Sequence, residues 1–184
     1  MQKILCVDLA NQFWLCRSSH THENSLAGGW AIVQQWLYST NFWIKTHRPD
    51  VIMFLGDGYP KWRYERHKDY KAGRKEKREA DPLTKDFERQ KADIKKIIAQ
   101  NLPVYYLYHE SLEADDLFYI ACKYLNDKNI DAEIIGVSTD DDWRQMMCEY
   151  DNVKIWQPVR KLWKEKPTYD FLKFKAINGD SSDN

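Results

Sequence analysis

Carboxylates recur in this chain where they could act together. Asp8 closes the apolar run KILCVD, Asp57 closes DVIMFLGD, and Asp140 opens the triplet DDD just after AEIIGVS. Glu113, Asp115 and Asp116 form EADD shortly after PVYYLY, and Asp180 and Asp183 stand in INGDSSDN. Carboxylates left bare side by side repel each other and raise each other's pKa. Divalent cations relieve that conflict, since magnesium and manganese prefer oxygen ligands and are commonly held by a few carboxylates beside phosphate. Two such ions about 3.5–4 Å apart can activate water and stabilise both oxygens of an in-line phosphoryl displacement. The triplet taken alone reads as a solvated turn that caps a helix, because Asp is favoured at helix starts. Glu110, Asp127 and Asp151 read the same way, as caps or surface charges.

The elements that would position these acids alternate between apolar runs and helical periods. KILCVD and DVIMFLGD read as buried strands, PVYYLY and AEIIGVS as a third and a fourth strand, and VKIWQP as a fifth. Between them, SLAGGWAIVQQWLYSTNFWIKT places Trp30, Val33, Leu37 and Ile44 at helical spacing. DPLTKDFERQKADIKKIIAQN reads as a long helix, and SLEADDLFYIACKYLNDKN as an amphipathic helix capped by Ser111. A short helix is expected over Trp143 to Cys148, and a closing one in TYDFLKFKAING, where Gly179 permits a sharp bend. Alternation of this kind predicts an α/β fold with a mostly parallel sheet flanked by helices. In such a sheet all strand carboxyl ends share one edge, and ligands bind beyond it. Asp8, Asp57 and Asp140 therefore converge by topology.

Lys and Arg number 28, as do Asp and Glu, so no overall field favours a polyanion. The balance hides segregation: residues 61–96 hold 14 basic against 8 acidic residues, leaving the remainder acidic. A basic segment beside an acidic set suggests phosphodiester hydrolysis, with nucleic acid as the partner. The four cysteines, Cys6, Cys16, Cys122 and Cys148, form no CxxC pair, which suits small buried hydrophobes in a reducing, cytoplasmic compartment. No stretch is apolar enough to enter a membrane. KAGRKEKREAD is too charged to pack.

Four motifs in register, LGDGYPKWRYERHKDYKAGR, EADD, STDDDWRQMM and INGDSSDN, resemble the 5′-nuclease family of flap endonucleases, phage 5′-exonucleases and the 5′-nuclease domain of bacterial DNA polymerase I. The resemblance spans Asp8 to Asn184. It implies a PIN-like fold, one catalytic domain over 1–184 with a basic helical arch at about 70–101, and cleavage of DNA or RNA at 5′ ends and flaps in replication or repair. It implies Mg²⁺ or Mn²⁺, two ions, the first held by Asp8, Asp57, Glu113, Asp115 and Asp116. Asp140, Asp142, Asp180 and Asp183 correspond to the second, with Asp141 a bystander. Asp8, Asp57, Asp115 and Asp142 would be catalytic together with Lys71 and Arg74, which meet the scissile phosphate. Arg63, Tyr70 and Lys75 would join those two in binding nucleic acid, Tyr70 by stacking on a base, while Trp62 packs.

The chain departs from the pattern in two ways. Gly56 precedes the acid where relatives often carry a bulkier residue. The chain also ends at Asn184, where the family continues into a helix–hairpin–helix region that grips duplex DNA. That region is expected to be absent, so a partner chain carrying it is a second expectation, and a small PIN-type ribonuclease is a third.

Overall fold

The computed structural model describes residues 1–18, 29–67, 70, 81 and 83–179. Six strands form one sheet: β1 (Gln2–Asp8), β2 (Val51–Gly56), β3 (Tyr105–Tyr108), β4 (Ala132–Val137), β5 (Val153–Gln157) and β6 (Leu162–Trp163). Their order is β3-β2-β1-β4-β5-β6. All neighbours pair in parallel except β5 and β6, which form an antiparallel edge. The helices are α1 (Leu9–Ser18), α2 (Ala31–His47), α3 (Lys61–Arg66), α4 (Thr84–Asn101), α5 (Ala114–Asp127), α6 (Gln145–Glu149) and α7 (Phe171–Asn178). A short 3₁₀ turn over Asp142–Arg144 leads into α6.

Successive strand side chains point to opposite faces, and β1 supplies both layers. Leu5 and Val7 pack with Phe13, Trp36, Trp43 and Ile94 from α1, α2 and α4. Ile4 and Cys6 pack with Leu117, Phe118, Trp143 and Met146 on the other side. Each such fully buried side chain contributes roughly 1.5–3 kcal/mol of apolar burial, which is why the runs read as strands without alternation. Cys6, Cys16 and Cys122 are buried and Cys148 is exposed. Among the described residues no helix is long and apolar enough to cross a membrane.

Several local expectations are corrected. α1 begins immediately after β1, where the Asp8 carboxylate accepts the Asn11 N–H at 2.9 Å and so serves as its cap. On α2 the buried residues are Ile32, Val33, Trp36, Thr40, Trp43 and His47, while Trp30, Leu37 and Ile44 are exposed. The buried stripe thus runs one position away from most of the expected one. Gln90 of α4 explains the docking, since its side-chain oxygen accepts the Ile32 N–H at 2.9 Å and covers an open end of α2. α5 starts at Ala114 with Glu113 as its cap, not Ser111; the Glu113 N–H donates to Asp116 Oδ2 at 3.0 Å. Trp62 is 45% exposed rather than packed. Gly179 ends α7 at φ 70, a bend only glycine makes cheaply.

Candidate active site

Asp8 sits at the end of the central strand, with β2 and β4 on either side. Asp57 follows β2, and Asp140 follows β4, so three adjacent strand ends bring three carboxylates to one edge. Asp8 is 7% exposed and accepts the Ser138 hydroxyl at 3.0 Å as well as the Asn11 N–H. Burial pushes its carboxyl up to about 7, against those two bonds, and the charges of Asp57 and Asp140 push the same way. Among the described residues no cation forms an ion pair with it.

The second acidic group is made by the start of α5. The Ala114 N–H donates to Asp57 Oδ1 at 2.8 Å, tying this helix end to β2. Arg63 of α3 reaches across to pair with Glu113, and with Asp116 at 2.6 Å. Burial works against the guanidinium charge, but Asp115, Asp116 and Glu113 outweigh it and hold its pKa above the usual value. Asp115 is pushed up to about 6 by burial first and by Asp116 next, with Arg63 opposing. The Tyr70 hydroxyl donates to Glu113 at 2.6 Å, and its ring meets Tyr64 edge-on at 5.3 Å, while Tyr64 stacks on Tyr59 at 4.6 Å. Arg63 and Tyr70, expected to meet nucleic acid, are here partnered with carboxylates.

The third group is the turn after β4. The Asp140 N–H donates to Ser138 Oγ at 3.0 Å, and Asp140 Oδ1 accepts the Asp142 N–H at 2.9 Å. Asp142 pairs with Lys175 of α7, and Asp141 with Lys164 at 2.9 Å. Asp142, Asp115 and Asp116 line one cleft of about 530 Å³ with Arg63, Lys175, Trp143 and Phe171. Asp8 and Asp57 do not line that cleft. Among the described residues no three His, Cys, Asp or Glu side chains close on a single point that would hold an ion. The donor set nonetheless suits a hard divalent cation, because it is all oxygen and the charges around buried Asp8 are mutually repulsive. Lys71, Arg74, Lys75, Asp180 and Asp183, and most of the arch expected before α4, lie outside the described residues.

Sequence reading passed over Asn11, Ser138, Lys164 and Lys175. Asn11 and Ser138 join the ends of β1 and β4, with Asn11 Oδ1 accepting the Thr139 N–H at 3.2 Å. Nothing in their local sequence marks them. The basic character of residues 61–96 is also weaker than its count, since on α4 Arg89 pairs with Asp86 and Asp93, and Lys91 with Glu88. Gly56 has a structural reason. A Cβ there would lie 2.5 Å from the Tyr106 hydroxyl, so Tyr106 of β3 fills the space that a bulkier residue would take. Asp127 and Asp151 pair with Lys123 and Lys166 at the surface, as ordinary charges do.

The sheet order and the carboxylates gathered at one of its edges define an α/β domain with an acidic site. The chain belongs to the 5′-3′ exonuclease family, whose N-terminal resolvase-like domain matches residues 17–176. Its fold is similar to that of a bacteriophage T5 protein co-crystallised with metal ions, at TM-score 0.76 and 19% identity, over 100% of this chain and 69% of that one. The bacteriophage T5 flap endonuclease in a pseudo-enzyme-product complex with DNA and metal ions gives TM-score 0.76 at 20% identity, over 100% and 68%. The T5 5′-exonuclease with bound zinc gives 0.67 at 18%, over 99% and 62%. No curated protein matches by sequence.

Proposed function

We propose that this chain is the catalytic domain, over 1–184, of a Mg²⁺- or Mn²⁺-dependent 5′-nuclease that hydrolyses phosphodiesters at 5′ ends or flaps of DNA or RNA. The observation that carries the reading is the convergence of Asp8, Asp57 and Asp140 on three adjacent strand ends, where like charges act on a buried carboxyl. The phage T5 structures that contain metal ions and DNA support it.

Asp8, Asp57, Glu113, Asp115 and Asp116 would hold one cation, and Asp140 and Asp142, with Asp180 and Asp183, a second. Bound there, a divalent ion supplies Lewis-acid chemistry and lowers the pKa of water. Ser138 and Asn11 orient Asp8 through their bonds to its two oxygens. Arg63 and Lys175 hold neighbouring carboxylates in ion pairs, the places that a bound cation would take. Lys71 and Arg74 would offset charge on the phosphate. Tyr70 and Lys75 would bind the strand that reaches the site.

A labelled 5′-flap duplex, incubated with the full chain and Mg²⁺, tests the reading. Cleavage is expected, and Asp8→Ala is expected to abolish it. Mg²⁺ should also raise the melting temperature of the wild-type chain more than that of Asp8→Ala. No cleavage with Mg²⁺ or Mn²⁺ and no thermal shift would overturn the catalytic reading. Faster cleavage of single-stranded RNA than of the flap would replace the substrate with that of a ribonuclease.

A further inference from the structure

Lys164 follows β6 and is an unusual lysine. Its side chain is 8% exposed, whereas lysine is almost never buried unless paired. Its backbone N–H donates to the Ile155 carbonyl at 2.8 Å, which fixes it to β5. Its ammonium carries three donors, and all three go to one turn: the Thr139 carbonyl at 2.8 Å, the Asp140 carbonyl at 2.6 Å and Asp141 Oδ1 at 2.9 Å. The tie is reciprocal. Arg144, at the end of the 3₁₀ turn, donates from Nε and Nη2 to the Glu165 carbonyl at 3.2 and 3.1 Å.

The turn so gripped is the one that presents Asp140 and Asp142. We propose that Lys164 is a positioning residue, which fixes this turn so that Asp140 and Asp142 meet a divalent cation in a set geometry, with Asp141 as its counter-ion. The inference rests on the reading of Asp140 and Asp142 as metal ligands. Lys164 acts through main-chain carbonyls and through Asp141, so it holds the turn while its charge moderates the repulsion among three adjacent carboxylates. A neutral donor could supply the bonds but not the charge. Asp141 keeps that charge from standing alone in a buried place, where an unpaired ammonium is costly.

The test compares wild type with Lys164→Met and Asp141→Asn. In metal-free protein, amide exchange over residues 138–144 should quicken in Lys164→Met while β1 stays protected. Calorimetric titration with Mn²⁺ should show affinity about 10–100-fold weaker, the scale for groups that orient metal ligands. The Mg²⁺ concentration for half-maximal cleavage should rise, with the rate at saturating Mg²⁺ largely kept. Asp141→Asn should weaken Mn²⁺ binding less, since two carbonyl bonds remain. If Lys164→Met does not melt cooperatively, Arg144→Gln removes the reciprocal bonds at the surface and should shift exchange and affinity in the same direction. Unchanged exchange, or unchanged Mn²⁺ affinity, in a folded variant overturns the positioning role. Wild-type protein that takes up no Mn²⁺ overturns the metal reading itself, whereas wild-type binding matched by the variants overturns only the role of Lys164.

Discussion

The carboxylates at the start of α5 and those in the turn after β4 meet in one cleft through Asp115, Asp116 and Asp142, but the two groups are held in different ways. Glu113, Asp115 and Asp116 are placed by their own helix: Glu113 and Asp116 are joined across its first turn, and one guanidinium from α3 bridges both. Asp140 and Asp142 are joined in a similar way, by the Asp142 N–H on Asp140 Oδ1, but Asp141 and Asp142 each take a separate lysine, one from the segment after β6 and one from α7. In both groups the local bonds are made within three residues and the cations come from far along the chain, Arg63 from 50 and 53 residues away and the lysines from 23 and 33. The helical acids share one cation on α3, whereas the turn takes two from separate elements beyond β5, so its geometry depends on both being in place.

That contrast can be broken by experiment. The largest effects should come from Asp115→Ala and Asp142→Ala, one from each group. Each should lower the single-turnover cleavage rate by about 10²–10³-fold, the scale for removing one preorganised electrostatic partner. A large loss at one position only would mean that the two groups do not serve the same reaction. Arg63→Met should cost about 1.5–3 kcal/mol of stability in metal-free protein, the range for hydrogen bonds to charged groups. Added Mg²⁺ should restore part of that loss in urea melts, because a cation then replaces the guanidinium. No restoration would separate Arg63 from the metal-binding set.

Gly136→Ala probes the sheet beneath the turn. A Cβ there would meet Ile155 and Trp143 at 2.8 Å and Phe118 at 2.9 Å, so overpacking should cost about 1–3 kcal/mol. Mn²⁺ affinity should fall in parallel, if the turn takes its geometry from β4 and the Trp143 stack on Phe118. The smallest effect belongs to Asp141→Asn. Its partner is buried, but Asp141 is 66% exposed, so the loss of stability should stay below about 1 kcal/mol by chemical denaturation.

The same contrast explains what the sequence made legible. Continuous apolar runs mark strands buried on both faces, as β4 is, and the shorter run of β3 marks a half-exposed strand at the sheet edge, so the five parallel strands and the edge they share could be read directly. The acids at strand ends followed from that topology. α1 was missed because LANQFWLCRS directly follows β1, with no loop and with its capping Asp8 assigned wholly to chemistry. α3 buries no residue among KWRYER and so leaves no apolar stripe to find. The lysines that secure the turn lie 23 and 33 residues from the acids they meet, and such distant pairs carry no local pattern. The face of α2 went wrong because its apolar residues nearly surround the helix, and docking against Gln90 selects among them.

Gly56 and Tyr106 have a consequence for how this domain can change over generations. The ring of Tyr106 stands where a side chain on residue 56 would go, with its Cε2 only 2.9 Å from an added Cβ. A side chain at residue 56 would require the far end of Tyr106 to move aside, one residue from Asp57. Shrinking Tyr106 first would leave room for bulk at residue 56, and enlarging Gly56 first would turn the Tyr106 ring aside. The size of one residue therefore sets the room left for the other. The two positions are thus expected to be inherited as a pair, and an engineer transplanting this strand end into a relative should move both.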